Sequence, residues 1–351
     1  MAVYTAIDKS TDYFNTKLYT GGSGDTAHTG VGFQPDLVWI KNRTQATDNH
    51  SLFDVIRGSR SWIGSNVSDA QDTSNSAYLA SFDNDGFTTT DTAVVGQDGE
   101  TYASWNWKAN GAGSSNTDGS ITSTVSANTT AGFSIVKWTG NGIGGATVGH
   151  GLGVVPQMII SKSLGHAENW AVYHYKSNAT PEDYRLSLDT TDASVDEAVV
   201  WNDTAPSSTL ITLGSQDKIN KDSSTHVAYC FAEKQGFSKF GSYIATGTTT
   251  DSSFVYTGLK PAMVIIKKYN TTDNWYMFDN ARNTYNPVIN VLYPNLIDAE
   301  DIDTTDWLDL VSNGFKITTT NAGVGGGDSY IYMAFAEAPF VNSNGVPCNA
   351  R

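Results

Sequence analysis

Pro35-Asp-Leu-Val-Trp-Ile-Lys41, Pro156-Gln-Met-Ile-Ile-Ser-Lys162 and Pro261-Ala-Met-Val-Ile-Ile-Lys267 repeat one pattern: a proline, a mainly apolar run and a lysine at fixed spacing. A proline ahead of such a run reads as the first residue of a β-strand, where its missing N–H takes nothing from the hydrogen-bond ladder. The match continues downstream. Asp48-Asn-His-Ser-Leu-Phe-Asp54 aligns with Glu168-Asn-Trp-Ala-Val-Tyr-His174 and with Asp273-Asn-Trp-Tyr-Met-Phe-Asp279. Short polar segments, 42–48, 163–167 and 268–272, separate the two runs, so each copy predicts a hairpin.

Outward from this pair, each copy begins with a strand that ends in an aromatic residue and a Gly-containing turn, at 14–21, 133–140 and 237–247. Each copy ends in a closing strand, at 102–109, 226–233 and 330–337, with large residues at every second position, as burial on a pleated surface demands. Asp85-Gly86 in the first copy and Asn313-Gly314 in the third are hairpin-turn dipeptides. The three prolines lie 121 and 105 residues apart, an ordinary domain spacing. The expectation is an all-β protein of three tandem antiparallel β-sandwich modules, jelly-roll-like in form, over residues 1–110, 131–235 and 236–340. Residues 111–130, rich in Gly, Ser, Thr and Asn, read as a flexible linker, and 341–351 as a C-terminal tail that docks or frays. Only Lys234-Gln-Gly236 joins the second and third copies, which predicts a rigid pair with the first copy displaceable. The acidic stretch 296–311 is the best helix candidate.

The 351 residues are 39% hydrophobic, 11% aromatic and 16% charged, a balance suited to short strands and turns. Net charge is −15 with no basic stripe, so nucleic acid is not an expected partner. Cys230 and Cys348 are too few for a disulfide framework; Cys230 sits in an apolar strand and reads as a buried filler. The first nine residues lack a charged leader followed by an apolar core, and no stretch has the apolar length of a membrane span. The expectation is a protein made in the cytosol with no membrane partner.

Candidate chemistry is sparse. Gly140-Asn-Gly142-Ile-Gly144-Gly145 has the letters of a dinucleotide fingerprint but is not followed by a helix, so a turn is the expected role. Asp83 and Asp85 could offer carboxylates to Ca²⁺, yet the third copy has Ser312 and Asn313 there, which favours a hairpin. Asp54-x-x-Arg57 recurs as Asp279-x-x-Arg282 and reads as a structural ion pair. His166, Glu168 and His174 could ligate zinc, but the repeat gives Glu168 an acidic counterpart in both other copies, so no metal and no cofactor are expected. Trp62, Trp201 and Trp307 lie in the variable middle regions and are the candidate sugar-stacking platforms; burial is the competing role. There is no Ser-His-Asp set and no paired-carboxylate pattern, so no enzyme is expected.

The motifs at 35–43, 52–58, 85–87 and 102–108, Pro-x-Leu-Val-Trp-Ile-Lys-x-Arg, Leu-Phe-Asp-x-x-Arg-Gly, Asp-Gly-Phe and Tyr-x-x-Trp-x-Trp-Lys, resemble an uncharacterised repeat domain of tailed-bacteriophage virion proteins, marine phages included. The second copy lacks Asp-x-x-Arg-Gly and Asp-Gly-Phe. The resemblance implies a virion structural protein on the outside of a capsid or tail, as a decoration, knob or fibre-like component contacting other virion proteins in many copies. The alternative is a carbohydrate-binding adhesin that recognises host surface glycans.

Overall fold

The computed structural model describes residues 5–75, 78–249, 253–302 and 306–349. Strands hold 42% of the chain and helices 4%, and the sheets are antiparallel. Twelve strands build the centre. The first copy supplies β1 (Phe14–Thr20), β2 (Leu37–Asn42), β3 (Ser51–Asp54) and β4 (Thr101–Trp107). The second supplies β5 (Phe133–Thr139), β6 (Met158–Ser163), β7 (Ala171–His174) and β8 (Thr225–Phe231), and the third β9 (Ser238–Ile244), β10 (Leu259–Lys268), β11 (Trp275–Asp279) and β12 (Ser329–Pro339). The sheets run β1-β4-β2-β3, β5-β8-β6-β7 and β9-β12-β10-β11, one strand order written three times.

The register agrees residue by residue. Leu37 faces Trp107, Met158 faces Phe231 and Met263 faces Phe335, each two residues beyond its proline. Pro35 and Pro156 precede their strands, whereas Pro261 lies inside β10, where the pairing shifts on either side of it. That irregularity accommodates the residue that cannot donate to the ladder. The hairpins across 42–48, 163–167 and 268–272 form as expected.

Both faces of each four-stranded sheet are apolar, and the alternation sorts them. Leu37 and Trp39, Met158 and Ile160, and Met263 and Ile265 point to one shared core; Val38 and Ile40, Ile159, and Val264 and Ile266 point to separate outer cores. In the first and third copies a three-stranded sheet containing the Asp85-Gly86 or Asn313-Gly314 turn contributes to the outer core; in the second, Ala146–Gly149 pairs with Leu210–Leu213. Two short helices, α1 (Ala198–Trp201) and α2 (Asp217–Asn220), add to the second outer layer.

The shared core closes on Trp107, Phe231 and Phe335, which hold the same register position in three different sheets. Their ring centres are 6.3, 5.9 and 5.6 Å apart, a triangle of mutual contacts. Phe14 stacks on Phe335 at 4.9 Å. Such rings add specific edge and offset contacts to a large buried apolar area.

Four expectations change here. The three copies do not form autonomous sandwiches, because one face of every sheet is buried against the other two copies. Residues 111–130 are not a free linker: Ser114–Asn116 and Ser123–Asn128 extend the second sheet beyond β5, since alternating Ser, Thr and Val pair as well in a ladder as they solvate in a coil. The first copy is tied in through the shared core, where Leu37, Trp39 and Trp107 pack with residues of the other two copies. The stretch 296–311 holds the strands Asp301–Ile302 and Leu308–Val311 in place of a helix; residues 303–305 lie outside the described residues. The tail folds back, Val341 bridging to Pro347, and Ser343 N–H donates to Asp8 Oδ1 at 2.7 Å.

Candidate functional site

The recurring polar residues converge on the seams between copies. Trp170 Nε1 donates to the Gly64 carbonyl of the first copy at 2.9 Å, and Trp275 Nε1 to the Ser187 carbonyl of the second at 2.8 Å. At the matching position His50 Nε2 donates to the Tyr293 carbonyl of the third copy at 3.1 Å, while His50 Nδ1 accepts from Trp39. The ring of three contacts therefore closes. A second set repeats it: Gln71 N–H to Leu164 O, Ser194 N–H to Tyr269 O and Glu300 N–H to Arg43 O.

Two of the three constant lysines serve the same seams, and the third, Lys41, braces its own hairpin. Lys162 Nζ donates to the carbonyls of Glu168 and of Ser68 in the first copy, and Lys267 Nζ to those of Asp273 and of Thr191 in the second. Lys41 Nζ is held by the Asn42, Gln45 and Asp48 carbonyls. Burial pulls all three amines down to about 8, against the opposing pull of nearby carboxylates.

Asp54–Arg57 and Asp279–Arg282 are ion pairs at 2.5 and 2.6 Å whose side chains are 0% exposed. A neighbouring copy caps each: Tyr229 OH donates to Asp54 Oδ2 at 2.8 Å, and Trp105 Nε1 to Asp279 Oδ2 at 3.1 Å. Tyr229 and Trp105 share a register position, which Met333 occupies in the third copy. Met333 offers no donor to a carboxylate, and the copy whose seam it faces is the second, which carries His174 and Ser177 where the others have Asp and Arg. His174 Nε2 there donates to the Tyr332 carbonyl at 3.2 Å. The apparent lapse in the repeat is thus a matched substitution across a seam.

The candidate sugar platforms do not face solvent. Trp62 is 8% exposed, with Nε1 donating to Ser51 Oγ; Trp201 and Trp307 are each 2% exposed, within the outer cores of the second and third copies. A ring buried in a core has no free face for a pyranose, so the expectation for these three residues is corrected. Asp83 and Asp85 are also spent locally: Asp83 accepts from Ser81 and Thr88, and Asp85 from the Gly30 and Gly32 amides, which secures the hairpin. Cys230 is a buried thiol raised to about 12, as a structural filler should be. His174 is remote from any cation role, whereas His166 and Glu168 are brought together with Asp217, which sequence alone did not associate with them.

The exposed rings are elsewhere. Phe254 and Tyr256 alternate along Phe254–Tyr256, an edge strand of the third outer sheet, and are 51% and 59% exposed. Tyr285 is 81% exposed. Period-two spacing puts Phe254 and Tyr256 on one face, beside backbone groups with no further strand to pair with. Tyr256 also lines a depression with Glu233, Lys239, Phe340 and Val341. Among the described residues no helix is long and apolar enough to cross a membrane.

Neither the curated proteins nor the solved structures contain a match to this chain. One family model does match, and it spans residues 9–339, all three copies together, in keeping with a shared core. The chain therefore belongs to the family described as a domain of unknown function, DUF7483.

Proposed function

We propose that this protein is a non-enzymatic structural component of a tailed-phage particle, displayed on the particle exterior in many copies and contacting other virion proteins. The observation that carries this reading is the fate of the recurring polar residues. Lys162 and Lys267, and the pairs Asp54–Arg57 and Asp279–Arg282, are consumed in closing one copy against the next. What the repeat preserves is architecture. A net charge of −15 keeps many displayed copies from associating with one another, and the edge strand with Phe254 and Tyr256 offers a contact for a neighbouring virion protein.

The motifs at 35–43, 52–58, 85–87 and 102–108 supply the link to phage particles, by resemblance. The test is proteomic analysis and cryo-microscopy of purified tailed particles from a phage that encodes the chain. Density for a three-sheet body on the outside is the expected result, and absence of the chain from intact particles overturns the proposal. The glycan-adhesin alternative now rests on Phe254, Tyr256 and Tyr285, the exposed rings, instead of on the buried tryptophans. Binding on a glycan array that is lost in Tyr256→Ala would support it over the structural reading.

A further inference from the structure

The hairpin between β6 and β7 departs from its two counterparts in a way that points to a ligand. In the first copy Asn42 Nδ2 donates to Asp48 Oδ2 at 2.7 Å, and in the third Lys268 Nζ reaches Asp273 Oδ2 at 2.8 Å. Asn42, Ser163 and Lys268 occupy one position, as do Asp48, Glu168 and Asp273. In the second copy Ser163 turns its hydroxyl to His166 Nδ1, at 2.8 Å, and gives nothing to Glu168. Glu168, whose counterparts accept from a side-chain donor at that position, is left facing His166 Nε2 at 4.0 Å, beyond hydrogen-bond range.

His166 is held for a ligand's role. Its Nδ1 lies between two hydroxyls, Ser163 Oγ and Ser224 Oγ at 3.2 Å; an Nδ1–H donating to these oxygens leaves the ring lone pair on Nε2. The absence of a side chain at Gly165 leaves room for Ser224 Oγ, which an added Cβ would approach to 2.4 Å. The His226 ring packs edge-on against His166 at 6.4 Å and limits its rotation. Nε2 is buried and has no hydrogen-bond partner. Asp217, on α2, completes the group: one donor atom each from His166, Glu168 and Asp217 lie within 4.8 Å of one another.

We propose that His166 Nε2, Glu168 and Asp217 bind a divalent transition metal of the zinc class, with the fourth position left to solvent or to a partner's side chain. One nitrogen and two carboxylates suit zinc, whereas calcium takes six to eight oxygen ligands. Tetrahedral zinc at about 2.0 Å from each donor needs donors about 3.3 Å apart. The required contraction falls on the carboxylates of Glu168 and Asp217, whose side chains are 31% and 50% exposed and free to turn. Lys221 now pairs with Asp217 at 2.7 Å, but this half-exposed i,i+4 contact is weak and exchangeable. The site stands independently of the virion proposal.

The test uses the untagged full chain, freed of metal with a chelator and titrated by calorimetry with Zn²⁺ and separately with Ca²⁺. The expected result is one saturable Zn²⁺ site, with Ca²⁺ giving none. Circular dichroism checks that each variant retains the fold, and the exposed Asp217 gives a substitution that leaves the core untouched. His166→Ala abolishes binding, Asp217→Asn weakens it about 10-fold or more, and Lys221→Met, which frees Asp217, tightens it several-fold. No Zn²⁺ binding, preference for Ca²⁺, or unchanged affinity in folded His166→Ala overturns the proposal.

Discussion

Arg57 sits with its whole side chain out of water, bound to Asp54, to the Ser61 and Leu52 carbonyls and to Tyr229 of the next copy. Removing one partner of a buried pair strands the other charge in a low-dielectric interior, while removing both with apolar replacements relieves the desolvation. Arg57→Met is therefore expected to cost about 3–5 kcal/mol in urea unfolding. Asp54→Leu combined with Arg57→Met costs far less, and a double variant as unstable as the single one contradicts the account. The Asp-x-x-Arg spacing was legible as an ion pair. Its burial was not, because a charged pair after a strand looks the same in sequence whether water or a neighbouring copy lies beyond it. The same holds for Lys162 and Lys267, whose constancy was visible and whose role in the seams was not.

At the level of strands and loops, the hairpins and closing strands followed from period-two patterning and turn dipeptides, because those signals are local. Residues 111–130 misled for the same reason. Their composition matches a coil, yet Ser123–Asn128 forms six ladder pairs with β5 and shields that edge. Limited trypsin and subtilisin digestion of the folded protein is accordingly expected to spare 111–130. Cleavage there that releases a first-copy fragment would restore the flexible linker. The middle regions were the least legible. They hold Trp62, Trp201 and Trp307, which the sequence left between sugar-stacking platform and buried ring, and each copy uses its own tryptophan to fill its own outer core.

For the whole molecule, the decisive feature is that Trp107, Phe231 and Phe335 meet at one centre. A void of about 10 Å³ remains beside them, lined by Leu37, Trp39, Ile160, Met333 and their neighbours, too small and apolar to hold water. Phe231→Ala opens a cavity shared by three sheets and is expected to cost about 3–5 kcal/mol. Calorimetry should show one transition moving to lower temperature as a unit; a separate melt of the second copy alone contradicts the shared core. The sequence by itself determined the all-β class, the triple pattern, the hairpin within each copy and the equivalence of the three prolines, since each depends on neighbours in the chain. Only the tertiary structure decided that the copies close into a ring, that the seams absorb the repeated charges, and that His166, Glu168 and Asp217 meet. Those outcomes join residues far apart in the chain, and alternating apolar residues on both faces of a strand do not say which face meets its own copy and which meets the others.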